Sequence, residues 1–139
     1  MDPLALAAPV PPPCEPAALA AAVAETGARF VVLFGSRVTG RPPPTAESDL
    51  DLAVRLARAD AGARFWDVRE AFAGVFPAYS LDLVLLDTAD PLLRWEAMGP
   101  GVLLAGDVDE FLEYRAYAYR DFVDSADLQH LREVTGAAS

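Results

Sequence analysis

Asp49 to Leu56 (DLDLAVRL) alternates without a break, with Leu50, Leu52, Val54 and Leu56 on one side and Asp49, Asp51, Ala53 and Arg55 on the other. Side chains repeat with a period of two only in an extended strand; a helix would scatter these leucines around its circumference. The segment is therefore read as a half-buried strand, and the rest of the chain must supply its sheet. Arg29–Phe34 (RFVVLF) is a short continuous apolar run ending at Gly35, as expected of a strand buried on both faces. Ser80–Leu86 (SLDLVLL) reads as a third strand and Val102–Leu104 as a fourth.

Helical signals separate these strands. Pro16 suits a first helical position, residues 16–26 are rich in alanine, and Gly27 can close the helix in the left-handed conformation. Phe65, Val68, Phe72, Val75 and Phe76 recur at helical spacing between Ala61 and Pro77, with Asp60 as the expected cap. A short helix is expected over Pro91–Met98 and another over Asp109–Val123. The predicted class is α/β, a small mixed sheet with flanking helices. Residues 1–15 read as a Pro/Ala-rich arm, 16–127 as one domain and 128–139 as a polar tail.

The 139 residues carry 11 Lys+Arg against 21 Asp+Glu, a net charge of −10. Such a surface repels a phosphate backbone, so direct nucleic-acid binding is not expected. No membrane span or secretory signal is evident, and the expected location is the cytoplasm. A lone Cys14 and a lone His130 give no thiolate or imidazole cluster, so any metal must be held by oxygen. His130 is given no role.

Three features converge on one chemistry. Gly35-Ser36 ends a buried strand, Asp49-Leu50-Asp51 opens the next, and Asp82 lies inside a third. Strand geometry puts Asp49 and Asp51 on the same face, about 7 Å apart. Asp82 has no Lys or Arg between Ala78 and Leu93, so burying it beside Val84 and Leu86 would require a positive partner. Carboxylates held together at 4 Å would repel by about 4 kcal/mol per pair at an effective dielectric near 20. Divalent cations resolve this, and hard oxygen ligands beside a phosphate favour Mg²⁺. Gly35 lets the backbone approach a phosphate, the amides of a following helical turn point at it, and Ser36 adds a hydroxyl.

These residues resemble the minimal nucleotidyltransferase (MNT) antitoxin family of the DNA polymerase β-like nucleotidyltransferase superfamily. The resemblance rests on Gly35-Ser36, a spacer, Ser48-Asp49-Leu50-Asp51 and Asp82, with Gly35 to Gly40 as a Gly-Ser-Arg-x-x-Gly start. It covers about residues 16–124. The spacer is longer than usual and holds Pro42, Pro43 and Pro44. The resemblance implies a polymerase β-like fold in which Asp49 and Asp51 hold two Mg²⁺ ions. It also implies that Asp82 binds the catalytic ion and helps deprotonate the acceptor, while Gly35 and Ser36 grip the β,γ-phosphates. AMP would pass from ATP to a hydroxyl, with tyrosine of a cognate HEPN-type toxin as the expected acceptor and pyrophosphate as the leaving group.

Plainer readings stand beside these. Asp49-x-Asp51 alone reads as a solvated strand face. Arg37 is grouped with Gly35 and Ser36 as nucleotide-binding, although solvated arginines are common in loops, and Arg41 is weighed in the same way. Phe111, Tyr114, Tyr117, Tyr119 and Phe122 share one helix, but Tyr117 and Tyr119 lie off the stripe of the others, which suggests core packing plus a partner face. The late acidic residues read as solubility or as steering for a basic partner. A small-molecule (antibiotic-type) nucleotidyltransferase and a catalytically silent toxin-binding module compete with the antitoxin enzyme. The absence of residues for an acceptor domain argues against the first, and the intact carboxylates argue against the second. A homo-oligomer stays open.

Overall fold

The computed structural model describes residues 14–135, with side chains described through Ala126. In chain order the elements are α1 (Pro16–Thr26), β1 (Phe30–Phe34), α2 (Ser36–Thr39), β2 (Leu50–Arg55), a 3₁₀ turn (Ala61–Arg64), α3 (Phe65–Val75), β3 (Leu81–Leu85), α4 (Pro91–Met98), β4 (Val102–Gly106) and α5 (Val108–Thr135). The four strands form one sheet in the order β3-β2-β1-β4. β1 pairs antiparallel with β2 and β4, whereas β2 and β3 run parallel, so the sheet is mixed as predicted.

Apolar layers cover both faces. Val31, Leu33, Leu50, Leu52, Val54, Leu83 and Leu85 pack with Val68 and Phe72 of α3, while Ala18, Leu19 and Val23 of α1 complete that layer. On the opposite face Phe30, Val32, Phe34 and Ala53 pack with Ala97 and Met98 of α4 and with Phe111, Tyr114 and Ala118 of α5. All five residues of β1 are buried, as its unbroken apolar run requires. The strand β2 is more enclosed than a half-buried strand, because α4 and α5 also cover its second face at Ala53.

Helix termini follow local chemistry. Gly27 closes α1 at φ 71°, and Asp90 caps α4 by accepting the Leu93 amide at 2.8 Å. Asp60 does not cap. Its carboxylate is taken by Arg58 at 2.9 Å and Arg64 at 3.0 Å, which outcompete the backbone amides. α5 runs well past Val123 and includes residues 128–135, read from sequence as a tail. No Gly or Pro interrupts the chain between Asp107 and Gly136. The predicted arm, apart from Cys14 and Glu15, and the His130 side chain lie outside the described residues.

Candidate active site

The parallel pairing of β2 with β3 aligns Asp51 with Asp82, and the antiparallel pairing of β1 with β2 aligns Phe34 with Asp51. A hydrogen bond from the Leu50 amide to Ser80 O at 2.8 Å fixes this register at the strand starts. Asp51 and Asp82 therefore share the face that carries Ala53. The helices that cover Ala53 leave Asp51 half-buried and Asp82 exposed. Asp82 avoids the cost of burial without a positive partner, because β3 is the outer strand of the sheet and its start is uncovered. Asp49, just before β2, is exposed beside them.

Gly35 follows β1 with φ 81°, a conformation that disfavours any residue bearing a Cβ. A Cβ there would lie 2.8 Å from Asp51 Cγ and closer still to its oxygen, so backbone and carboxylate meet only because the residue is glycine. The chain then turns into α2, where the Val38 and Thr39 amides donate to Gly35 O at 3.0 Å. Ser36 is the first residue of this turn and is partly exposed.

Electrostatics single out Asp51. Desolvation pushes its carboxyl up to about 6; the adjacent Asp82 and then Asp49 add to the rise, against a smaller opposing effect from Arg37. No His, Cys, Asp and Glu group of three or more is preassembled around an ion position among the described residues. Nevertheless, carboxylate oxygens crowded beside one another suit a hard divalent cation.

Arg37 does not point its fork into this space. Its Nη2 donates to Thr45 O at 3.1 Å and Ser48 O at 2.8 Å, and its guanidinium lies 4.7 Å from the Tyr79 ring centroid. Thr45, Ser48 and Tyr79 thus border the site; Ser48 stands in the Ser48-Asp49-Leu50-Asp51 motif, whereas no local pattern in the sequence points to Thr45 or Tyr79. Only the fold brings Tyr79, just before β3, under a side chain of α2. Of the aromatics on α5, Phe111 and Tyr114 are buried, whereas Tyr117 and Tyr119 are 43% and 47% exposed. No helix among the described residues is long and apolar enough to cross a membrane.

Solved structures share this architecture. A toxin–antitoxin complex with AMP-PNP matches at 22% identity over 87% of this chain and 92% of that chain, with TM-score 0.61. The MntA–HepT toxin–antitoxin matches at 22% identity over 86% and 88%, with TM-score 0.55. A tri-AMPylated Shewanella oneidensis HEPN toxin in complex with MNT antitoxin matches at 22% over 86% and 87%, also with TM-score 0.55. No curated protein matches the chain. The profile of "Polymerase beta, Nucleotidyltransferase" matches residues 20–110, which include all four strands and Asp49, Asp51 and Asp82, and the chain belongs to that family.

Proposed function

We propose that this nucleotidyltransferase moves AMP from ATP to a hydroxyl on a folded protein partner, a HEPN-type toxin, and thereby acts as its antitoxin. The observation that carries the reading is the Asp51–Asp82 register pair, with Asp49 beside it, on an uncovered sheet face against Gly35. The fold it shares with MNT antitoxins, among them one in complex with an AMPylated HEPN toxin, supports the choice of acceptor. An ATP-dependent reaction on a cellular toxin belongs in the cytoplasm.

Asp49, Asp51 and Asp82 would hold Mg²⁺, which when bound neutralises triphosphate charge and stabilises the displacement at phosphorus. Gly35 admits the phosphates close to the backbone, and Ser36 offers a hydroxyl donor. Asp82 is an exposed carboxylate on the outer strand, open to an approaching acceptor. The acceptor oxygen bonds to the α-phosphorus as the bond to the β-phosphate bridge breaks. The acceptor's proton passes to Asp82, and pyrophosphate leaves. Tyrosine fits because a folded partner can present its hydroxyl in line at about 3–3.5 Å.

The test is to incubate the chain with a HEPN-type protein encoded beside it, ATP and Mg²⁺, and to measure intact masses. One or more AMP additions to a tyrosine of the partner, with loss of its ribonuclease activity, are expected. Transfer only to free small molecules such as aminoglycosides would contradict the proposal.

A further inference from the structure

We infer that Arg37 is a positioning residue, a clamp that fixes the spacer and so sets where Asp49 stands relative to Asp51. The inference rests on the nucleotidyltransferase reading only for its consequence; the clamp itself is a matter of this chain's own contacts.

Asp49 is exposed and lies between two anchored points. On its far side the Leu50 amide is bonded to Ser80 O at 2.8 Å. On its near side Ser48 O accepts Arg37 Nη2, also at 2.8 Å. The same nitrogen reaches Thr45 O at 3.1 Å, so one guanidinium grips both ends of a turn. That turn is closed by Ser48 N to Thr45 O at 3.1 Å and by Thr45 N to Ser48 Oγ at 2.8 Å. Tyr79 provides the platform beneath the guanidinium.

The composition of the spacer explains why a side chain has this task. Pro42, Pro43 and Pro44 have no amide hydrogen, so that stretch cannot donate backbone hydrogen bonds to the rest of the fold. A side-chain tie from Arg37, at the spacer's start in α2, supplies what the backbone of the proline stretch lacks. Arg37 Nε is buried without a hydrogen-bond partner among the described residues, so the side chain holds this pose even though one donor goes unsatisfied. A lysine ammonium has donors enough for two carbonyls but no planar face to lie on Tyr79.

The experiment compares Arg37→Gln, Arg37→Lys, Tyr79→Leu and Tyr79→Phe with the wild-type chain. Amide hydrogen exchange is followed without nucleotide or metal, and Mg-ATP binding is measured by calorimetry. A clamp predicts that the Thr45 and Ser48 amides exchange about tenfold faster in Arg37→Gln, Arg37→Lys and Tyr79→Leu, with β1 and β2 unchanged. Tyr79→Phe keeps the ring and should stay within about twofold of wild type in both measurements, whereas Arg37→Gln and Tyr79→Leu should weaken Mg-ATP binding by similar factors. If Arg37→Gln weakens Mg-ATP while the spacer amides stay protected and Tyr79→Leu changes neither, Arg37 is a phosphate ligand and the inference is overturned. Should Arg37→Gln fail to fold, the Tyr79→Leu and Tyr79→Phe pair decides by the same exchange measurement. A wild-type chain that binds no Mg-ATP would defeat the functional reading, and the exchange comparison would still decide the clamp.

Discussion

Strands β2 and β3 carry charged residues at both ends, and the two ends are finished in opposite ways. At the far end Arg55 pairs with Asp87 at 3.5 Å and stacks 4.5 Å from the Tyr114 ring centroid. Asp87 also accepts the Leu56 amide at 2.8 Å and the Arg58 amide at 3.3 Å. Every charge there has an opposite charge or a donor. At the near end Asp51 faces Asp82 and Asp49, and the Arg37 guanidinium is turned onto the spacer. One end is built to hold the sheet together; the other keeps like charges adjacent at a cost to stability, as a site awaiting a cation and a triphosphate does.

The sharpest way to break this comparison is to neutralise the near end. Asp49→Asn and Asp51→Asn should each lower nucleotidyl transfer by about 10³-fold or more, because they remove metal ligands. Their melting temperatures should equal or exceed wild type, because repulsion is relieved and no cavity opens. Retained transfer in either variant would remove the carboxylates from the chemistry. Gly35→Ala should follow with a loss of about 10²-fold, since the new Cβ displaces the Asp51 carboxylate and strains the backbone. A fully active Gly35→Ala enzyme would show that the close approach is dispensable.

How much of this could be read from the chain varies with the kind of information. Alternation in Asp49–Leu56, the apolar run of β1 and the Pro16 and Gly27 signals are local, and those elements formed close to where the sequence put them. Whether Asp82 is buried cannot be read from the chain, because strand order is a tertiary property. An apolar strand reads alike at the centre or at the edge, and here it is the edge. Asp60 has the chemistry of a cap, and only the folded positions of Arg58 and Arg64 show which partners win. The Arg37–Tyr79 contact joins residues far apart in the chain, and no periodicity or motif records it.

Asp82→Asn sharpens the comparison within the near end. It should bind Mg-ATP within a few-fold of wild type yet transfer AMP about 10²-fold more slowly, since it serves acceptor activation more than nucleotide binding. Calorimetry in which it loses ATP as completely as Asp51→Asn would contradict that division. At the far end, Asp87→Asn should lower stability by about 2 kcal/mol, with Mg-ATP binding unchanged, because it leaves Arg55 without its counter-ion. If transfer fell as far as in Asp51→Asn, the two ends would not be separable.

The smallest effect is a pH dependence. Asp51 titrates at about 6 in the folded protein against 3.8 for an ordinary carboxyl. Between those values the native state keeps a proton that the unfolded chain has released, so metal-free stability falls as pH rises from about 4 to 6 and then levels off. Because water reaches this carboxyl, the change should be about 1 kcal/mol rather than the full value of the shift. Asp51→Asn should flatten that segment of the curve in a series of denaturant melts.

Whether the near end is a cation and nucleotide site is tested most directly by the shift in melting temperature on adding Mg²⁺ with ATP. Ligand at about 100 times its dissociation constant stabilises a folded protein by about 2.7 kcal/mol. A rise of several degrees is therefore expected in wild type and in Asp87→Asn, and none in Asp51→Asn. No rise in wild type, or an equal rise in Asp51→Asn, would contradict the account.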